Sequence, residues 1–459
     1  MNPIEKEGLC VKNTNKRMLQ GPLFSAIVSY TLPIILTSLL QILFNAADLV
    51  VVGQFCGSLS VAAVGATGSI TGLLVNFFIG LSVGAGVTVA HGLGSREDTV
   101  VSNTVHTAIP TALVSGVILT VVGIACSRSF LEMMDTPETV LPLSTVYMQI
   151  YFAGVTFNMV YNFSAAILRA AGDTKSPLYF LLFAGVLNVA LNVIFVRQFH
   201  MNVAGVALAT TISQAVSAVL VVMALMKRKD ACRLELRKLR FHKAQLGKIL
   251  RIGLPAGIQS SLFAVSNVII QSSVNSFGDI CMSGNAASAN LEGFVYVCLS
   301  AFQQTAVNFI GQNSGAHQFH RVKRILWICL GCVTVLGLSL GTLVYSLGPT
   351  LLAIYITDSA EAISFGMIRL GYICLPYFLC GLMDVTTGAL RGMGASFVPM
   401  LISVLGVCGV RIGWIYTIFQ MPQFHTPQCL YFSYAISWLA TALCQLVAFL
   451  AVYRRHSKE

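Results

Sequence analysis

Residues 168–177 read LRAAGDTKSP, and 222 positions later residues 390–399 read LRGMGASFVP. Leu, Arg, Gly and Pro fall in the same places. The same shift lays Leu32-Pro33 on Leu254-Pro255, Ser38 on Ser260, Leu40 on Leu262, Asn45 on Asn267 and Phe55 on Phe277. A shift of 221 lays HGLGS (91–95) over QNSGA (312–316). One such match is chance; a near-constant shift sustained along half the chain marks an internal duplication.

The duplicated material is hydrocarbon-soluble. Of 459 residues, 56% are hydrophobic and 10% charged, with a mean hydropathy of +0.79. Soluble globular domains carry about 25% charged residues, so a large soluble protein is excluded in favour of a polytopic helical membrane protein. Apolar stretches of about 20 residues or more, each long enough to cross a bilayer, are expected near 24–52, 61–90, 104–127, 143–168, 177–196, 203–226, 249–274, 284–311, 325–346, 364–390, 397–419 and 430–453. The start of the chain, MNPIEKEGLCVKNTNKR, is polar and basic and has no cleavable-signal pattern. Most of the 13 cysteines, among them Cys298, Cys329, Cys374, Cys380, Cys408 and Cys444, lie in apolar runs and read as small packing residues. The CxxC at Cys329 and Cys332 sits in WICLGCVTVLG, where a helix face explains it better than a redox or zinc pair.

Twelve spans put both ends of the chain on one side. All but four of the 28 Lys and Arg residues then fall on that side; Arg128 and Arg197 lie opposite, and Arg369 and Arg411 lie within spans. By the positive-inside rule both termini and the basic stretch after Lys227 are cytoplasmic. The net charge of +11 is therefore topology, and KRKDACRLELRKLRFHK suits an inner-leaflet surface rather than nucleic acid. The expected organisation is a tail 1–23, an N-lobe 24–226, a basic linker 227–248, a C-lobe 249–453 and a tail 454–459. Six spans per half is an even number, so the repeats run parallel, as in alternating-access transporters that bind substrate between lobes. Pro33 and Pro255 occupy matching interior positions in the first and seventh spans, as a fixed packing kink or a bend that changes during transport.

Several polar residues lie where lipid-soluble side chains are expected. Asp48, in SLLQILFNAADLVVVGQF (38–55), sits in the outer part of the first span and has no acidic twin, since position 270 is Ile. A carboxylate near the middle of a bilayer costs roughly 2.5–3.5 kcal/mol on insertion scales. Asn188 and Asn192 in the fifth span are four residues apart and share a face. Thr210, descending in the sixth, reaches comparable depth. Asp48, Asn188, Asn192 and Thr210 are thus expected to line one pocket. A carboxylate in a partly dry cavity is readily neutralised by a proton or a bare cation, which makes Asp48 a candidate coupling site. Singly, Asn and Thr are commonly glue between helices. Glu292, Asp384 and its twin Asn162, and Arg411 are the remaining candidates, for a substrate cavity. Arg411 is expected to pair with Asp384, and Glu292 to meet a cationic substrate or titrate. Arg169 and Arg391 read as twin structural anchors, and His91 and His106 suggest no metal site.

In this order these features resemble the multidrug and toxic compound extrusion (MATE) family over nearly the whole chain. The resemblance rests on the six-plus-six repeat, Pro33 followed fifteen residues later by Asp48 in NAADLVVVG, the LRAAGD/LRGMG pair, GQNSGA and ATTISQ. It implies an all-α membrane protein of twelve transmembrane helices. Two parallel six-helix repeats would form a V-shaped two-lobe transporter exporting cationic amphiphiles in exchange for H+ or Na+, without a cofactor. By position Asp48 matches the family's acid in the first helix, Asn188 its Asn in the fifth and Thr210 its Thr in the sixth. Asn192 departs from a position that is often Asp, and PAGIQSSLFAVSNVIIQ lacks the acid that another branch carries in the seventh helix. The implied protein acts as a monomer in the cytoplasmic membrane, with metal restricted to Na+ at Asp48. The rival from the same superfamily is a flippase for lipid-linked sugars or other amphipathic lipids, which calls for a more cationic cavity. An enzyme finds no support: HExxH, GxSxG, paired catalytic aspartates and the ATP-binding GxxxxGK[ST] pattern are missing from the sequence.

Overall fold

In a computed structural model the chain is described over residues 18–357 and 359–457. It is built almost wholly from helices: α1 (Leu23–Cys56), α2 (Ser58–Ser95), α3 (Asp98–Met133), α4 (Leu141–Ala170), α5 (Lys175–Val193), α6 (Asn202–Lys227), α7 (Lys243–Asn275), α8 (Asp279–Gly315) and α9 (Phe319–Ser346). There follow a short α10 (Gly348–Tyr355), α11 (Ala360–Arg369), α12 (Tyr377–Gly392), α13 (Phe397–Ser403), α14 (Val410–Tyr416) and α15 (Pro427–His456). Among the described residues, eleven helices are long and apolar enough to cross a membrane. The remaining expected span, 364–390, is a pair, Ala360–Cys374 and Tyr377–Gly392, bent by 40°. Its break has a local cause. Pro376 has no N–H to give, and the turn before it, Leu370–Cys374, is already wound as π-helix. An all-helical answer follows from the solvent, because lipid offers no partner for an unpaired backbone N–H or C=O.

The repeated LRxxG signature turns out to be a helix ending. Gly172 (φ +85°) and Gly394 (φ +84°) adopt the left-handed backbone that glycine tolerates best. Each donates its N–H back to the Arg carbonyl, Gly172 to Arg169 at 2.9 Å and Gly394 to Arg391 at 2.8 Å. The next residues, Asp173 and Ala395, close onto the Leu carbonyls of Leu168 and Leu390 at 2.9 and 3.0 Å. Two glycine-terminated helix ends of one geometry explain why those residues recur at a fixed shift.

The chain divides into two compact units, the first holding Met18 and residues 32–257, the second residues 19–31 and 258–457. Both α1 and α7 pass from one unit to the other within a few residues of their prolines, Pro33 and Pro255. Within the first unit α4 is the central helix, packed by α2, α3 and α6. Within the second, α12 takes that place, packed by α8, α9 and α15. Small residues bring these helices close. A Cβ on Gly116 would lie 2.6 Å from Thr156 Cα, and one on Gly388 would lie 2.6 Å from the Gln303 carbonyl. Such close approach supplies packing that hydrophobicity cannot supply in lipid.

The basic stretch after α6 is docked on the first unit. Cys232 and Leu234 are buried in its core. The Glu235 N–H donates to His106 Nε2 at 3.0 Å, the Arg240 N–H to the His106 carbonyl at 3.3 Å and the His242 N–H to Thr107 Oγ1 at 3.1 Å. Burial pushes the Cys232 thiol up to about 12, which leaves it an inert packing group. The described cysteines are all free.

Replacing Gly116 with Ala is expected to destabilise the first unit by about 1–3 kcal/mol through overpacking against Thr156. Gly293→Ala, where a Cβ would meet open space, is expected to be neutral; thermal unfolding in detergent checks the pair.

Candidate functional site

Asp48 lies two turns before the end of α1, half-buried against α5 and α6. What brings these helices together is a missing side chain. Gly185, three residues before Asn188, makes room for the ring of Phe44, one turn before Asp48; a Cβ there would lie 1.8 Å from the ring. On α5 the spacing of Asn188 and Asn192 presents both to α1. After Asn192 the helix widens into a π-turn, Ile194–Gln198, whose Val196 packs with Val51, Val52 and Val206.

The four polar side chains close a ring. Asn192 Nδ2 donates to Asp48 Oδ1 at 2.5 Å and to Asn188 Oδ1 at 3.3 Å. Asn188 Nδ2 donates to Thr210 Oγ1 at 3.3 Å, and the Thr210 hydroxyl donates to Asp48 Oδ2 at 3.4 Å. Three of these contacts are at the long, weak end of hydrogen bonding. Asn188 and Asn192 are buried, and Asn192 Oδ1 has no partner at all. Nothing cationic answers the carboxylate: among the described residues no Lys, Arg or His pairs with Asp48. The Tyr147 side chain of α4 also faces the Asp48 charge, a neighbour that spacing along one helix does not reveal. The site therefore offers oxygen acceptors of two kinds, an uncompensated carboxylate and an orphaned amide oxygen, to anything small and positive that enters.

The other candidates lie elsewhere. Asn162 is half-buried in the first unit and turns back on its own helix, donating to the Asn158 carbonyl and Oδ1, both at 2.9 Å. Glu292, Asp384 and Arg411 are buried in the second unit. The expected pairing of Asp384 with Arg411 does not form. Arg411 Nε donates to Ser437 Oγ at 2.9 Å, and its guanidinium stacks over Tyr434 at 3.9 Å and Trp438 at 5.4 Å. Helix rotation decides this: Arg411 is turned toward the aromatic face of α15, whereas Asp384 faces the charge of Arg391 on its own helix. Asp384 Oδ2, Arg391 Nε and Arg411 Nη2 are each buried without a partner. Arg391 Nη2 reaches Gln259 Oε1 at 2.8 Å.

Glu292 meets Arg369, not an open cavity. Arg369 Nε and Nη2 clasp its two carboxylate oxygens at 2.9 and 2.8 Å, and Nη1 donates to Asn285 Oδ1 at 2.5 Å. Asn285 is held in turn by Tyr431, whose hydroxyl donates to its Oδ1 at 3.1 Å, and by Gln271 Oε1 at 3.0 Å. The sequence displays Arg369 as an intramembrane charge but carries no signal of its partner 77 positions away.

Known proteins agree with this architecture. The MatE family model matches residues 33–194 and again 255–417, one match per half. The chain is 28% identical, over 85% of its length and 87% of the relative's, to "Probable multidrug resistance protein YpnP" of Bacillus subtilis (strain 168). It is 22% identical, over 95% of its length and 94% of the relative's, to "Multidrug export protein MepA" of Staphylococcus aureus (strain MRSA252). The fold superposes with a TM-score of 0.89, at 20% identity and covering 96% of this chain and 98% of the other, on the outward-facing conformation of a multidrug resistance MATE family transporter of the MOP superfamily.

Removing the Asn192 amide, as in Asn192→Leu, is expected to cost about 1–3 kcal/mol while Asp48 is present, because the half-buried carboxylate loses its shortest donor. In an Asp48→Asn background the cost should shrink, and a double-mutant cycle on thermal unfolding measures the difference. A duplicated helical membrane chain, matched by the family model once in each half, belongs to the MatE family of membrane transporters.

Proposed function

We propose that this chain is a secondary antiporter that exports cationic or amphiphilic drugs or toxic metabolites in exchange for H+ or Na+, by alternating access. The observation that carries the proposal is the first unit's ring: a carboxylate with only neutral partners, beside a buried amide oxygen that has none. Such a group is unstable when charged, dry and alone. Loading it with a proton or a sodium ion removes that penalty, and unloading it restores the demand for water. A state that is dry around Asp48 therefore favours the loaded form and a wet state the empty one, which ties ion occupancy to conformation. The oxygens of Asp48, Asn192 and Thr210 suit a hard monovalent cation, and the carboxylate alone suits a proton.

The names borne by the relatives, multidrug resistance and multidrug export, support small, chemically varied cargo, and the positive-inside bias supports cytoplasmic termini in a cell membrane. One chain contains both repeats, which supports action as a monomer. The flippase reading is not favoured: of the intramembrane arginines, Arg369 is already occupied by Glu292, and Arg411 is buried and stacked over Tyr434.

Asp48→Asn is expected to fold and insert normally yet lose gradient-driven export entirely. The measurement is export of a cationic dye from proteoliposomes carrying separate pH and sodium gradients. Equal dye movement in wild type and variant, with or without a gradient, would overturn the antiport reading.

A further inference from the structure

Asp48 in the first unit and Glu292 in the second are held in opposite ways. In the first, Asp48 on α1 is surrounded by neutral donors contributed by α5 and α6. In the second, the position that repeats Asp48 is Ile270, and the buried acids are Asp384 on α12 and Glu292 on α8, of which Glu292 is the one held by an ion pair. The polar chain of the second unit nevertheless begins beside that repeated position. Gln271 binds Asn285, Asn285 accepts from Arg369, and Arg369 clasps Glu292 with two nitrogens. Both charged side chains are nine-tenths buried or more. The groups facing them from other elements are Cys374 of the π-turn and Tyr377 of α12 toward Glu292, and Tyr431 and Tyr434 of α15 toward Arg369. Among the described residues no second cation reaches Glu292 and no second carboxylate reaches Arg369.

Arg369 thus occupies the place of a bound cation. Its guanidinium remains charged at any physiological pH and forks onto a carboxylate in the strongest geometry available to such a pair. Being tied to the backbone, it does not leave when the surroundings change from dry to wet, as a proton or a sodium ion does. We propose that Arg369 is a tethered counter-ion that withholds Glu292 from ion exchange, so that this acid of the second unit contributes nothing to the number of coupling ions carried. The inference rests on the antiport reading of Asp48 and adds a residue that sets stoichiometry. A purely structural pair would also stabilise α11 against α8, but its loss would not change how many cations the protein binds.

The test counts monovalent cations taken up by the purified full chain in detergent, using proton release and uptake in a lightly buffered pH jump and, separately, radioactive sodium binding. Relative to wild type, Arg369→Gln is expected to gain one proton or one sodium per chain, because Glu292 is left charged with only neutral neighbours and must take a mobile partner. Glu292→Gln and the double variant Arg369→Gln/Glu292→Gln are both expected to bind the same number as wild type. A loss of one cation in Glu292→Gln, or no gain in a folded Arg369→Gln, overturns the proposal. If Arg369→Gln does not fold, the Glu292→Gln count still decides. Asp48→Asn forms a separate arm: a wild-type count there removes the antiport reading, whereas a count lower by one upholds it whatever the Arg369 variants do.

Discussion

A carboxylate cannot remain charged, dry and unaccompanied, and Asp48 and Glu292 meet that constraint in two different ways. Hydrocarbon already obliges the backbone to satisfy itself within helices. It makes a stronger demand of an acid, which has to be neutralised, solvated or paired. Asp48 is met by one amide, that of Asn192, and one hydroxyl, that of Thr210, both neutral. Glu292 is met by a guanidinium. The first arrangement supplies no fixed counter-charge; the second supplies one from within the chain.

The surrounding fold holds these arrangements in register by removing atoms as much as by adding them. The Cβ missing at Gly185 lets Phe44 seat against α5, which brings the carboxylate one turn later opposite the asparagines. In the second unit, the α8–α11 contact that presents Glu292 to Arg369 includes Gly284 and Gly366, where a Cβ on Gly284 would lie 2.2 Å from the Ala362 carbonyl. Ser288 Oγ donates across the same contact to the Gly366 carbonyl at 2.9 Å. Close helix approach and polar pairing are therefore one design feature in both units, as expected where packing replaces hydrophobic driving force.

Repetition in the sequence does not mean repetition of chemistry. The duplication preserved the helix endings at Gly172 and Gly394 and the central roles of α4 and α12, because these follow from backbone geometry. It did not preserve the acid of α1, whose counterpart is Ile270, nor the straightness of the tenth span, which breaks at Pro376.

The approximate places of the spans, the duplication and the company of Asp48 were legible in the residues, although several helices outrun the expected bounds, α3 reaching over Asp98–Met133 against 104–127. Hydrophobic length is set by membrane thickness, and residues four apart on one helix at a known depth can meet only neighbours at that depth; hence Asp48, Asn188, Asn192 and Thr210 could be grouped before any coordinates. Which buried charges pair was decided by tertiary structure alone. Depth does not specify how a helix is rotated about its axis, so Arg411 turned to Tyr434 and Ser437 instead of Asp384, while Arg369 found Glu292. The docking of the basic linker through Cys232, Leu234 and His106 was equally hidden, since its charges advertise topology whereas its backbone hydrogen bonds depend on the shape of the surface beneath it.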